Sequence, residues 1–352
     1  MEAAENKSLR LAQLIELLLA HPQGMIKADI ARRLNVHRST VGRYIDELSQ
    51  QLHIPIWEDG NLIGINRDDY EMKVNLNIHE SMAIHLATRL MATRMDKHNP
   101  HAAAALRKLG QSLDKFAPQI SQHLLASAEV MDDVAQRRDP NYLRVLELLT
   151  RAWSEGRLVH IWHKQEGTGK VFDYEFAPYF IEPYAVGQTA HVIGLRKSPD
   201  KMRTFKLERI ERAELLADLY TIPDEFDPHE QLADAWGIWY TDTEPVEVVL
   251  KFHPRVAGRV KETRWHRSED VTDQADGYLL WRARIAEPQE MIPWIRGWGA
   301  DCEVVGPNNL RRKMSGEARR LAELYGWTVI KGNPGDTGIT SLSQTFSDFF
   351  GD

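Results

Sequence analysis

Arg203 and Arg209 bracket Phe205 and Leu207 in an every-second-residue alternation. On an extended strand, residues two apart share a face. The pattern therefore predicts two guanidinium groups and a phenyl ring side by side. Guanidinium groups grip phosphate oxygens bidentately and stack on planar rings. Arg is also rarely buried without a partner. The chemistry favoured is recognition of an anionic, aromatic ligand, namely a nucleotide, an oligonucleotide or a single-stranded nucleic acid. Trp162 and His163, on the first strand of the same region, add a stacking ring and a hydrogen-bonding ring. A plainer use stands beside this one. Arg203 and Arg209 also suit scaffold ion pairs with Glu175, Glu182 or Glu208, and Trp162 suits a core position.

A second group of donors lies near the N-terminus: Lys27, His37, Arg38, Ser39, Thr40 and Arg43. The last five open a segment in which Val41, Ile45 and Leu48 recur at four and three residues, the mark of a helix with one buried face. That face leaves Arg38, Ser39 and Gly42 outward, with Arg43 reaching back. Gly42 costs about 1 kcal/mol of helix propensity relative to Ala, which suits close approach to a partner. Two helices are expected before it, over 8–20 and 27–34, separated by the His21-Pro22-Gln23-Gly24 stop. Behind it, Ile54, Ile56, Leu62, Ile63 and Ile65 flank Asp59-Gly60, a hairpin signal. Three short helices and a hairpin form the winged helix-turn-helix pattern, whose third helix enters the DNA major groove. The wing is acidic at Glu58 and Asp59, so Asn61 or Arg67 would be its contribution to DNA. A three-helix unit used for protein contact fits the same pattern.

The bulk numbers narrow the setting. The chain has 352 residues, with 44 Lys and Arg against 51 Asp and Glu, a net charge of −7. Two or three folded units are expected at that length. DNA binding must then rest on local charge, as in Lys27, Arg32, Arg33, Arg38 and Arg43 against Asp29 alone. No apolar run is long enough to span a membrane, and residues 1–10 lack the apolar core of a signal peptide. The single cysteine, Cys302, excludes an internal disulfide and a Cys-based zinc site. A cytoplasmic protein is expected.

Residues 76–135 read as helical with breaks at Pro100 and Pro118, and another helix is expected over 141–153. Short apolar runs between turn residues over 157–222 predict a small barrel or sheet. The fold class is α+β. The expected domains are a winged helix-turn-helix (1–70), a helical connector (71–140), a ligand-sensing domain (141–222), a linker (223–245), a C-terminal α/β extension (246–330) and a flexible tail (331–352). The tail carries Phe346, Phe349 and Phe350.

These stretches also carry a family resemblance. The run Arg203-x-Phe205-x-Leu207-x-Arg209-Ile210 resembles the R-x-F-x-L-x-R-I signature of WYL-domain regulators, and Pro178 to Leu195 resembles the strand pattern before it. The stretch IKADIARRLNVHRSTVGRYIDEL resembles the winged helix-turn-helix of many bacterial regulators. The resemblance covers nearly the whole chain. It implies a Sm/SH3-like β-barrel, the WYL domain, between the helical connector and the extension (Val246 to Tyr325). The Trp-Tyr-Leu triplet that names the family falls on Ala190, His191 and Val192. His191 thus takes the Tyr position that the family turns to its ligand pocket. The extension, with Arg264, Trp265, His266 and Arg267, is implied to lie near that pocket, often of the partner subunit, which makes His266 a further candidate.

The implied protein is a homodimeric, sequence-specific transcription regulator with a double-stranded DNA operator. Its effector would be a nucleotide or single-stranded nucleic acid. The alternative is a non-transcriptional nucleic-acid-binding accessory protein. No cofactor, metal or catalysis is expected. Residues 166–170 lack phosphate-loop spacing, and His160 and His163 point to opposite strand faces.

Overall fold

The computed structural model describes residues 2–71, 74–94, 99–132, 139–184, 188–241 and 243–327. The expected tail with its three phenylalanines lies outside the described residues. The chain divides into two units, Met1–Ile222 and Pro223–Asp352.

In the first unit, residues of helical period become α1 (Glu2–Leu19), α2 (Lys27–Arg33) and α3 (Arg38–Gln50). Leu14, Leu18, Ile30, Val41, Ile45 and Leu48 bury together in one core. The hairpin is β2 (Ile56–Asp59) and β3 (Leu62–Ile65), joined by β1 (Met25–Ile26) in the order β1-β3-β2. β1 carries no periodic signal because it is two residues long. The Trp57 indole packs against Gly24 and Gly64, and a Cβ at either position would overlap the ring.

Three helices follow: α4 (Ile78–Arg94), α5 (Pro100–Leu113) and α6 (Pro118–Met131). Pro100 and Pro118 open their helices, where a missing N–H costs nothing. α4 inverts the usual pattern. It buries Ser81 and His85 and exposes Ile84, Leu86 and Leu90.

α7 (Pro140–Glu155) packs Tyr142, Val145, Leu149 and Ala152 onto a five-stranded antiparallel sheet. Its strands are β4 (Arg157–Lys164), β5 (Val171–Tyr184), β6 (Thr189–Arg196), β7 (Lys201–Lys206) and β8 (Ile210–Leu219), in the order β7-β6-β5-β4-β8. A 3-10 turn, Leu207–Arg209, joins the two edge strands. This corrects the expected single strand through Arg209. The strand ends at Lys206: Leu207 and Ile210, three residues apart and both fully buried, reach the same core through the 3-10 turn.

The second unit contains α8 (Pro228–Gln231), β9 (Val246–Phe252), α9 (Pro254–Lys261), β10 (Asp270–Asp273), β11 (Leu279–Ile285), α10 (Ile292–Trp298), β12 (Cys302–Gly306) and α11 (Asn308–Leu324). Its sheet runs β10-β11-β9-β12 over a core holding Val248, Leu250, Phe252 and Trp281. Residues 231–241, part of the segment expected as a linker, pack into this unit. Ala233, Ala235 and Ile238 are buried, and the buried Glu290 carboxylate accepts the backbone N–H groups of Gly237, Ile238 and Trp239. A buried carboxylate requires such donors.

Among the described residues, no helix is long and apolar enough to cross a membrane. No group of three or more His, Cys, Asp or Glu among them is arranged to hold a metal ion.

Candidate nucleic-acid interfaces

The first candidate is the start of α3. Burial of Val41, Tyr44, Ile45 and Leu48 fixes the helix's rotation. Arg38, Ser39 and Arg43 are left exposed and Thr40 half-buried. His37 is the N-cap: its Nδ1 accepts the Ser39 N–H at 3.3 Å and lies 2.8 Å from Ser39 Oγ. This satisfies one of the helix's free donors and holds the Ser39 hydroxyl at the helix mouth. Arg43 donates to Thr40 Oγ1 at 3.4 Å. Arg38 has no acidic partner among the described residues. A Cβ at Gly42 would meet nothing within 4 Å, so packing does not require glycine there. Lys27 stands apart from this group, with its ammonium 3.5 Å from Glu58 on the wing. Arg67 is turned away from any wing-tip role. It donates to Leu19 and Ser154 inside the first unit, a correction to the expected DNA contact.

The second interface is on the five-stranded sheet. Directly opposed residues in antiparallel strands point to the same face. Phe205 lies opposite buried Val192, Arg203 opposite Gly194, Lys201 opposite Arg196, and Arg196 opposite Phe176. Arg196, Lys201, Arg203 and Phe205 therefore share the core face, Phe205 well inside and the cationic groups towards its end. Phe205 is the hub. Its ring lies 5.0 Å from His163, 5.3 Å from Tyr174 and 5.2 Å from Phe176. The Arg196 guanidinium sits 5.6 Å from the Tyr174 centroid. Phe172, opposite His163, is 42% exposed. A Cβ at Gly194 would overlap the Ala177 carbonyl oxygen and the Phe176 ring, so only glycine permits this close approach of β5 and β6.

Three polar groups here have unused hydrogen-bonding capacity among the described residues. Among the described residues, Arg203 has no carboxylate partner, and His163 Nε2 and Arg196 Nε are buried without a hydrogen-bond partner. Buried polar atoms are paired in the great majority of cases. Two such atoms beside an unpaired Arg suit a polar ligand. Burial, then the charge of Arg209, pushes the His163 pKa down to about 4.

Other expected site residues fall elsewhere. Trp162 and His163 are neighbours on β4 and so face opposite ways. Trp162 lies on the outer face, with its ring 4.3 Å from His160 and 4.5 Å from the Arg212 guanidinium. Arg209 leaves the strand face with the 3-10 turn and pairs with Glu166 at 2.7 Å. The scaffold reading of Arg209 thus finds its partner in a hairpin acid that sequence reasoning did not name. His191 alternates with core residues Ala190 and Val192, beside Tyr184 at 5.8 Å. It is 8% exposed, with a buried, unpartnered Nδ1. Burial first, then Lys206, Arg209 and His163, pushes its pKa down to about 4. His266 is in the second unit, where its Nδ1 lies 2.9 Å from Ser268 Oγ in a tight turn. Arg267 there pairs with Glu230 and Asp234. Arg267 and His266 Nδ1 are thus engaged locally, whereas His266 Nε2 is buried without a hydrogen-bond partner among the described residues.

Sequence reasoning missed Arg196 and Tyr174. Phe172, Tyr174 and Phe176 alternate at period two, a signal present in the chain. Arg196 had none, because its place depends on strand register.

Three domain families match the chain. They are an HTH domain over residues 10–61, a WYL domain over 144–215 and a WCX domain over 244–322. Among solved structures the chain is similar to proteasome accessory factor B/C (PafBC) of Arthrobacter aurescens, at 16% identity and a TM-score of 0.33. That match covers 90% of this chain and 49% of the other, so the chain spans about half that protein's length. It is also similar to a CRISPR Cas-related protein at 10% identity and a TM-score of 0.40, covering 73% of this chain and 88% of that one. No curated protein matches.

Proposed function

From the premise that this chain has the architecture of the WYL-domain transcriptional regulators, with HTH, WYL and WCX domains in that order, we propose that it is a cytoplasmic regulator tuned by a nucleic-acid effector. α3 reads a duplex operator. A nucleotide or single-stranded nucleic acid, held on the core face of β5, β6 and β7, sets the affinity for that operator. The observation that carries the effector is the set of cationic and aromatic groups around Phe205, with Arg203 lacking a carboxylate partner among the described residues and His163 Nε2 and Arg196 Nε left without hydrogen bonds. Arg203 and Arg196 supply charge for phosphate, and Tyr174, Phe172 and His163 supply rings for a base. Charge-assisted hydrogen bonds and base stacking are the interactions these groups offer.

Titration calorimetry of the full-length protein with 5′-phosphorylated single-stranded oligonucleotides tests this. Arg203→Ala and Arg196→Ala should each weaken binding by roughly 10–100-fold, as befits loss of a hydrogen bond to a charged group. Arg212→Ala, on the outer face, should leave it unchanged. Equal binding by wild type and Arg203→Ala, or no saturable binding at all, refutes the assignment.

The regulator is also proposed to be a homodimer, because one recognition helix supports little specificity and paired half-sites double the contacts. The support is α4. Leu86 and Leu90 are 60% and 63% exposed, four residues apart. An uncharged apolar stripe is self-complementary and suits a two-fold interface. Light scattering should give a dimer for wild type and a monomer for Leu86→Glu, which sets like charges across the axis. A wild type that stays monomeric on operator DNA at micromolar concentration overturns the dimer.

A further inference from the structure

After β3 the chain runs through Asn66, Arg67 and Asp68, and here it meets two helices far away in sequence. Arg67 Nη1 donates to the Ser154 carbonyl at 2.6 Å and lies 2.7 Å from Ser154 Oγ, while Nη2 donates to the Leu19 carbonyl. Leu19 is the last residue of α1, and Ser154 lies in the last turn of α7. The final carbonyls of a helix lack intrahelical donors and carry partial negative charge. One planar guanidinium, with its fixed fork of donors, caps both helices at once. A second bond follows: Asp68 pairs with Arg151 at 3.5 Å, and Arg151 with Glu155 at 2.8 Å. A cavity of about 540 Å³ adjoins this junction, lined in part by Trp57, Arg67, Arg151 and Arg157. The contact is a polar clip and not a dry, close-packed seam.

What the clip joins gives it consequence. α1 shares a core with Val41, Ile45 and Leu48 of α3. α7 shares a core with Val192, Phe205 and Leu207 of the sheet. We propose that Arg67 is the positioning residue that sets the DNA-reading head on the effector-binding domain and carries the effector's signal between them. The signalling half rests on the regulator reading above, and the positioning half does not. A ligand that shifts α7 changes the distance between the Ser154 and Leu19 carbonyls. Arg67 then either drags α1 with it or lets go of one helix.

Two measurements on the full-length protein decide this. Spin labels at Gln50 on α3 and Lys170 on the β4–β5 hairpin report the placement of the head. Arg67→Ala should broaden their distance distribution, and Arg67→Lys, which cannot reach both carbonyls, should do the same. An unchanged distribution in both folded variants overturns the proposal. Operator affinity is then measured with and without saturating 5′-phosphorylated oligonucleotide. Coupled sites typically differ by about 5–150-fold. Wild type should show such a ratio, and Arg67→Ala should bring it near one while each ligand alone still binds. A variant that keeps the wild-type ratio overturns the relay, as does one that only melts earlier. A wild type with no ratio refutes the regulator reading and with it the signal, while the label distances still decide the positioning role.

Discussion

Alanine in place of Arg38 should weaken binding to a selected operator by about 1–3 kcal/mol, roughly 5–150-fold, and relax preference at one base position. The reason is geometric. Val41, Tyr44, Ile45 and Leu48 anchor α3 in the core, so the helix cannot roll. Arg38 is its first residue, exposed and without an ion-pair partner among the described residues. The N-terminal turn of a recognition helix is the part that meets base edges, and a guanidinium suits guanine O6 and N7. Arg43, one turn on, donates to Thr40 Oγ1 and is proposed to serve a phosphate. Arg43→Ala should therefore weaken binding uniformly across sequences and lower the salt slope by about one. Fluorescence anisotropy over a salt series, with the operator and single-base variants, separates the two. Wild-type affinity in Arg38→Ala removes α3 as the reading helix.

Acid should destabilise the first unit between pH 6.5 and 4, and His191 should account for much of the loss. Burial leaves His191 8% exposed, and Lys206, Arg209 and His163 add to the penalty for a charged ring, which brings its pKa from 6.5 down to about 4. His163 titrates near the same value, from burial and Arg209. The folded pKa lies below the unfolded one. The unfolded chain therefore binds more protons in this window, and stability rises with pH. The contribution is fully present above pH 6.5 and is lost as pH falls towards 4. A shift of this size corresponds to roughly 3 kcal/mol for His191. Denaturant unfolding at pH 7, 5.5 and 4.5 should show His191→Gln losing less stability on acidification than wild type. Parallel profiles would mean that His191 is charged without penalty in the fold.

The helix α3 is legible from the chain because its logic is local. Val41, Ile45 and Leu48 repeat at helical spacing, and the residues between them face outward as a matter of geometry. His37 as a cap is less legible, since its type suits a contact residue while the structure has it hold Ser39. The second interface was legible only in part. Arg203 and Phe205 share a face as their spacing requires, yet Arg209 was misplaced. Nothing in the alternation says where a strand ends and a 3-10 turn begins; the joint burial of Leu207 and Ile210, three residues apart, fits the turn and not a continued strand. Trp162 and His163 are adjacent in sequence, and adjacent strand residues diverge to opposite faces.

By itself the sequence determined the class of fold, the three helices and hairpin of the N-terminal segment, the outward residues of α3 and the cation-and-aromatic character of the sheet region. These follow from periodicity, from Pro and Gly, and from residue chemistry, all of which act within a few residues. Tertiary structure alone decided which side chains meet. Arg196 joins Tyr174 through the β5–β6 register, and Arg67 joins α1 to α7 across separations of 48 and 87 residues. Pairings of that kind are chosen by the whole core, which selects one register and one helix placement by the apolar surface they bury together. No local pattern encodes them, because each partner looks ordinary until the other arrives.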